Sequence, residues 1–281
     1  YPRQRRVNVV RKKEKYNFMY NRSTWRLLDD EPRNAEQNMA VDEAIALSAL
    51  KSGSLPVLRF YRWSSPALTY GYFQDPEQEI DIGYCKGNNI SFSRRMTGGG
   101  VVLHFGDLTY SIITDISFFG AKNDVMSTYE ILHRSVKNAL GSLGIGAELC
   151  ESAAGGKDRR RGFCFTKQSR HDILVNGVKI AGSAQRRLSN ILVHQGYIML
   201  YGAPEESSRI LKTEMKNRYA DGINMPSGFP AREEIVSSIT GSFEDEFGLK
   251  FERGYLSAAE NKDAEQLSSD KYSSDKWKYL H

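Results

Sequence analysis

With 281 residues, 40% of them hydrophobic and 11% aromatic, the chain can bury one large core or two modest ones. Charges or glycines interrupt every apolar run before the roughly 18 residues of a membrane span, which argues against a membrane protein. The net charge of +5 is concentrated in residues 1–22, where Arg3, Arg5, Arg6, Arg11, Lys12, Lys13, Lys15 and Arg22 face only Glu14; the rest is near −2, which argues against a nucleic-acid-binding domain.

Residues 1–23 are expected to form a basic, flexible tail. No apolar segment follows the charges, so they do not read as a secretory signal. Residues 24–281 are expected to form a single domain with a helical C-terminal part. Cys85, Cys150 and Cys164 are odd in number and contain no CxxC pair, so neither a disulfide framework nor a zinc site is expected. Reduced thiols and a cytoplasmic location follow from that usage. Locally, each cysteine reads as a small core residue or a reactive group, with the core preferred.

The core begins near Trp25. Asn34 and Gln37 resemble a capping box, and Val41, Ala44, Ile45 and Ala49 then form an apolar helical stripe. Val57–Trp63 and Ala67–Tyr72 are rich in β-formers and flank Ser64-Ser65-Pro66, so they read as two paired strands. Residues 90–94 form another short strand that runs into Gly98-Gly99-Gly100. Residues 101–103 and 108–114 again read as strand. Ser127 and Glu130 resemble a second capping box, opening a helix with Leu132, Val136, Leu140 and Leu143 on one face and Gly144 as its stop. Residues 151–162 are polar, glycine-containing and charged, which predicts a mobile surface loop. Asn176-Gly177 between two β-rich runs is the strongest hairpin signal in the chain. Residues 191–200 form a further strand. From Ala203 the pattern turns helical, with Ile235, Ile239 and Phe243 spaced by four. The expected fold is α+β, a mostly antiparallel β-sheet flanked by helices.

Two stretches can carry chemistry. Gly98-Gly99-Gly100 lets main chain approach a ligand and offer N–H groups, and Arg94 and Arg95 beside it can supply cationic forks. It ends in neither the GK[ST] of a P-loop nor a helix. Alone, such a turn is more often a simple connection. Further on, Lys179 sits among apolar residues just past the hairpin, where it reads either as a donor in a desolvated pocket or as an exposed edge-strand lysine. Cys164 lies between two phenylalanines, which suits a core position, although its polar upstream loop suits a cleft. His104, His171 and His194 are ambiguous alone, and no spacing suggests a metal site.

The segment Arg94-Arg95-Met96-Thr97-Gly98-Gly99-Gly100-Val101-Val102-Leu103-His104 resembles the RRxTGGGxVxH signature of the lipoate–protein ligase and octanoyltransferase superfamily. Leu108-Thr109-Tyr110-Ser111 resembles the LTYS that follows it there. Asp172 through Arg187 is similar to the superfamily's D-hydrophobic-GK-hydrophobic-AGSAQRR element, with Lys179 at its signature lysine. Residues 191–196 and 271–277 resemble its L-hydrophobic-HxG and KYxSDxW elements. The resemblance covers about residues 24–255 and implies the biotin/lipoate protein ligase catalytic fold. It also implies Cys164 and Lys179 as catalytic residues. The implied substrate-binding set is Arg95, Thr97, Gly98, Gly99, Gly100, His104, Asp172, Gly182, Ser183, Ala184 and His194, with no metal ligand in the protein.

The superfamily holds two chemistries. Transferases of the LipM type carry octanoyl from octanoyl-acyl carrier protein through a cysteine thioester and need no cofactor. Ligases activate free lipoate with ATP and Mg²⁺. Cys-Phe at 164–165 resembles the LipM-type active-site position, which favours the transferase; the complete glycine triplet is common among ligases, whereas some LipM-type enzymes carry GGR. The implied acceptors are lipoyl domains of 2-oxoacid dehydrogenases or the glycine cleavage H protein. An amidotransferase moving octanoyl between lipoyl domains, and a non-catalytic protein that keeps the fold, are the further alternatives.

Overall fold

The computed structural model describes residues 24–151, 169–201, 207–212 and 229–280. The basic tail, the loop at 152–162 and Cys164 lie outside these residues, as does most of the stretch between 202 and 228.

Eight strands form the main sheet: β1 (Thr24–Asp29), β2 (Val57–Tyr61), β6 (Asp107–Asp115), β7 (Ala147–Leu149), β8 (Ile173–Val175), β9 (Val178–Leu188), β10 (Ile191–Met199) and β11 (Lys250–Arg253). Their spatial order is β11-β1-β2-β6-β10-β9-β8-β7. The β11–β1 and β1–β2 pairs are parallel and the remaining neighbours antiparallel. A second sheet of order β4-β3-β5 is made by β3 (Ala67–Tyr70), β4 (Ser91–Arg94) and β5 (Val102–His104).

This second sheet corrects one expectation. The strands on either side of Ser64-Ser65-Pro66 do not pair. β2 joins the main sheet between β1 and β6, whereas β3 starts the small one. The two strands are short and buried on both faces, so local sequence carries no alternating pattern that would mark a partner.

Four long helices cover the sheets: α1 (Ala35–Ser52), α2 (Val125–Ser142), α3 (Arg232–Phe247) and α4 (Ala258–Leu267). The capping box that opens α1 is as expected, with Asn34 accepting from Gln37 N and Gln37 reaching back to Asn34 N. The cap of α2 differs. Asp124 is the N-cap and accepts from the Ser127 main-chain N–H, so Ser127 is the third helical residue and not the cap. An aspartate is at least as good a cap as serine, and it takes the position one turn earlier.

α2 and α3 pack on one face of the main sheet, where Leu132, Val136, Leu140, Ile235, Ile239 and Phe243 are buried. The opposite face is covered in two parts. α1 and α4 lie over Leu28, Val57, Ile113 and Val193. The small sheet lies over Tyr197 and Met199 at the end of β10. The hairpin at Asn176-Gly177 is present, with both residues at positive φ (51° and 76°), as a two-residue primed turn requires. Among the described residues no helix is long and apolar enough to cross a membrane.

Candidate active site

β9 carries an irregularity that decides where Lys179 points. Val178 and Lys179 pair with Val175 and Leu174, but Ile173 pairs with Ala181, leaving Ile180 as an extra residue. A bulge of this kind reverses the alternation of side chains beyond it. Lys179 therefore shares a face with Gly182 and Ala184, which lie on the far side of the bulge. A methyl group added at Gly182 would lie 2.9 Å from Lys179 Cε and 3.0 Å from both Lys179 Nζ and the Tyr197 hydroxyl. Only glycine leaves the ammonium that space.

Lys179 is buried, so the exposed edge-strand reading does not hold. Its Nζ lies 2.7 Å from Asp172 Oδ2, and neither side chain is more than 6% exposed. Asp172 is fixed in turn by the Ser169 N–H, which donates to the same oxygen at 2.6 Å. His171, just before it, has φ +73°, a left-handed conformation uncommon outside glycine though more accessible to histidine than to most side chains. Three hydrogen bonds hold it there. His171 N donates to Cys150 O, Cys150 N donates to Asp172 O, and His133 Nδ1 donates to the His171 carbonyl at 2.5 Å. His133 Nε2 meets Ser183 Oγ at 2.6 Å. Burial pushes His133 below the usual imidazole range, against the opposing pull of the His171 carbonyl and Asp172, so the ring is neutral with Nδ1–H as donor and Nε2 as acceptor.

On the same face as Lys179, between the main sheet and the small one, lies a small, mostly apolar pocket that is partly open to solvent. Ala184, Gly196 and Tyr197 line it at the β9 side, and Tyr61, Trp63 and His104 at the β2 side. Arg95 and Thr69 form part of its roof. Arg95 does not reach into solvent as a free fork. Its guanidinium donates to Thr69 Oγ1 (2.7 Å) and to the carbonyls of Gly98 (2.9 Å) and Gly100 (2.8 Å). It thereby shapes the glycine turn from within. Gly99 adopts φ +88°, and Gly71 passes so close that a Cβ there would lie 1.9 Å from the Gly99 carbonyl oxygen. Arg94 is fully buried and donates to the carbonyls of Tyr72, Gln74, Trp277, Lys278 and Leu280.

The structure thus brings Lys179, Asp172 and Gly182 together beside the pocket, next to Tyr197 and Ala184, which line it. Arg95 and His104 also line it, and Arg95 holds the carbonyls of Gly98 and Gly100. Thr97 sits behind the pocket, donating to Gln195 Oε1 (2.8 Å), whose amide reaches Asp42 at 2.7 Å. The side chains of Ser183 and His194 point to the opposite, α2 side of the sheet. His194 is fully buried there, beside His133 and Tyr129, with Nδ1 3.1 Å from the Gln185 amide. Cys85 and Cys150 are buried, and burial pushes the Cys85 thiol up to about 12, which leaves it unreactive near neutral pH. Cys164 lies outside the described residues. Sequence reasoning missed His133, Trp63 and Tyr197; nothing in their local pattern distinguishes them from core residues. Among the described residues no group of three or more His, Cys, Asp or Glu is arranged to hold a metal ion.

The glycine turn and the lysine–aspartate pair both fall within a span of the chain that matches a known family. The lipoyl protein ligase A/B catalytic domain matches residues 34–233. The chain belongs to that family. Within it, the octanoyltransferase LipM of Carboxydothermus hydrogenoformans is 33% identical over 265 residues, which cover 90% of this chain and 98% of that protein. The bi-partite lipoate protein ligase of Thermoplasma acidophilum, studied with its E2 lipoyl domain, superimposes with a TM-score of 0.73 at 27% identity and covers 91% of this chain and 96% of its own. Lipoate-protein ligase A bound with ATP gives the same TM-score and identity, over 91% of this chain and 98% of its own. The lipoyl protein ligase A/B catalytic fold accounts for the mainly antiparallel sheet and its flanking helices.

Proposed function

We propose that this chain is an octanoyltransferase of protein lipoylation, moving octanoyl from octanoyl-acyl carrier protein to a lysine of a lipoyl domain or of the glycine cleavage H protein. The observation that carries this reading is the buried Lys179–Asp172 pair, which lies beside Gly182 and Tyr197 next to an apolar pocket. The similarity to LipM octanoyltransferases supports it.

The Cys164 thiolate attacks the thioester carbonyl of the donor. A tetrahedral oxyanion forms, the carbon–sulfur bond to the carrier breaks, and the carrier leaves as a thiolate that takes up a proton. The Lys179 ammonium, oriented by Asp172, donates to the oxygen where negative charge develops. In a site shielded from water that interaction is far stronger than in solution. The octanoyl tail lies in the apolar pocket, where each buried methylene contributes about 0.8 kcal/mol. The acceptor lysine then attacks the Cys164 thioester as a neutral amine, forms the amide, loses a proton and releases the thiolate. This cycle needs no cofactor, and we place it in the cytoplasm.

The similarity to an ATP-bound ligase favours a second reading, ATP-dependent attachment of free lipoate. An acylation assay on an apo lipoyl domain separates the two. The transferase reading expects modification with octanoyl-acyl carrier protein and no nucleotide. Modification only with lipoate, ATP and Mg²⁺ would establish the ligase instead.

A further inference from the structure

We propose that Trp63 is the end wall of the acyl pocket and sets the length of chain that the enzyme accepts. The inference rests on the acyl-binding reading of that pocket and adds the residue that measures the chain.

Strand register lays out the pocket floor. Gly182 on β9 faces Tyr197 on β10, Tyr197 faces Thr109 on β6, and Thr109 faces Tyr61 on β2. Residues directly opposite one another share a face, so these four form a straight row across the pocket floor. At about 4.8 Å between neighbouring strands, the row is roughly 14 Å long. Side chains at its β9 end are small, namely Gly182 and Ala184, and Lys179 stands over them.

Trp63 enters from the other end. Its indole Nε1 donates to Thr109 Oγ1 at 2.8 Å, which pins the ring over β6. Two strand spacings separate β6 from Gly182, roughly 10 Å. The indole is also stacked on His104, with ring centroids 4.0 Å apart and planes at 21°. His104 cannot turn away, because Nδ1 is 2.8 Å from Asp107 and Nε2 is 2.9 Å from Thr69 Oγ1. Thr109 Oγ1 in turn donates to the same Asp107 oxygen at 2.7 Å. The wall is therefore braced from below and from behind.

The lengths agree. With carbon–carbon bonds of about 1.5 Å, an extended eight-carbon acyl chain spans roughly 9 Å and a twelve-carbon chain roughly 14 Å. The first matches the distance from Gly182 to β6, where the indole is pinned. The second would reach out to β2, past the indole.

The test uses the full chain and two variants, Trp63→Ala and Trp63→Phe; Phe keeps an apolar ring but has no N–H for Thr109. Each protein is offered an equimolar mixture of six-, eight-, ten- and twelve-carbon acyl-carrier proteins, and transfer to a lipoyl domain is read by intact mass. In parallel, binding of free octanoate, decanoate and dodecanoate is measured by calorimetry. Wild type is expected to prefer eight carbons in both measurements. Trp63→Ala should raise the twelve-to-eight ratio at least tenfold, since each newly buried methylene is worth roughly fourfold in binding. Trp63→Phe should shift it in the same direction by less. Should Trp63→Ala fail to melt cooperatively, the Phe variant decides. An unchanged eight-carbon preference in the folded variants would overturn the proposal while leaving acyl transfer standing. Loss of transfer in wild type, with chain-length selection retained in the binding measurement, would instead overturn the transferase reading and leave Trp63 as the wall.

Discussion

A methyl group at residue 182 would lie 2.9 Å from Lys179 Cε and 3.0 Å from the Tyr197 hydroxyl, inside ordinary contact distance on two sides. Gly182→Ala is therefore expected to displace the ammonium, lowering kcat at least a hundredfold while costing only about 1–3 kcal/mol of stability. Full activity in that variant would show that the position of Lys179 is not critical. Gly71→Ala meets main chain and not a movable side chain, so it should lower the melting temperature more than Gly182→Ala does. The neutral imidazoles give a pH prediction. Burial lowers His133 and, still more, His194 below the ordinary imidazole value of about 6.5. Below that pH the unfolded chain binds protons that the folded chain refuses. Their contribution to stability is thus complete above about pH 6.5 and falls as pH drops, by up to ~1.4 kcal/mol per pH unit for each ring. Melting temperatures measured between pH 7.5 and 5.5 should decline below 6.5, and a flat profile would contradict the neutral assignment. At this scale sequence was a good guide wherever a residue's own chemistry dictates its local role, as with Asn34 at its cap and Gly177 in its turn. It could not show His133, because the bond from its ring to His171 joins residues 38 apart.

Elements were legible to the extent that their signals are local. The α1 cap, the 173–181 hairpin and the apolar stripe of α3 could all be read from a few neighbouring residues. The separation of β2 and β3 into different sheets could not, since strand partners are chosen over long sequence distances. The bulge at Ile180 was equally hidden, although it turns Lys179 toward the pocket. β11 was missed because it is four residues long with no buried face to leave an alternating pattern. The C-terminal Lys271–Trp277 motif acquires a physical role at this scale. The Trp277 indole donates to the Arg94 carbonyl, and the Arg94 guanidinium donates to the carbonyls of Trp277, Lys278 and Leu280, so the chain end is clasped onto the strand that leads into the glycine turn. Removing residues 274–281 leaves that buried guanidinium with unmet hydrogen bonds. The truncation should cost several kcal/mol by urea denaturation and speed proteolysis near the turn, because unpaired buried charge is penalised heavily. A truncated protein as stable as the full chain would show that the clasp contributes nothing.

Over the whole molecule, the main sheet divides the labour. Its α2 side holds the neutral histidines and the larger core, and its opposite side holds the pocket, the glycine turn and Lys179. Asp172 connects the two, since its carboxylate meets Lys179 while the residue before it is held by His133. The relation between this apparatus and Cys164 is the central claim, and covalent capture tests it most directly. Full-length enzyme is mixed with octanoyl-acyl carrier protein, without acceptor or ATP, and its intact mass is measured before and after hydroxylamine. The account predicts one octanoyl adduct that hydroxylamine removes, no adduct in Cys164→Ala, and a severely slowed one in Lys179→Ala. A Cys164→Ala variant that still acylates the lipoyl domain, and requires ATP to do so, would contradict it.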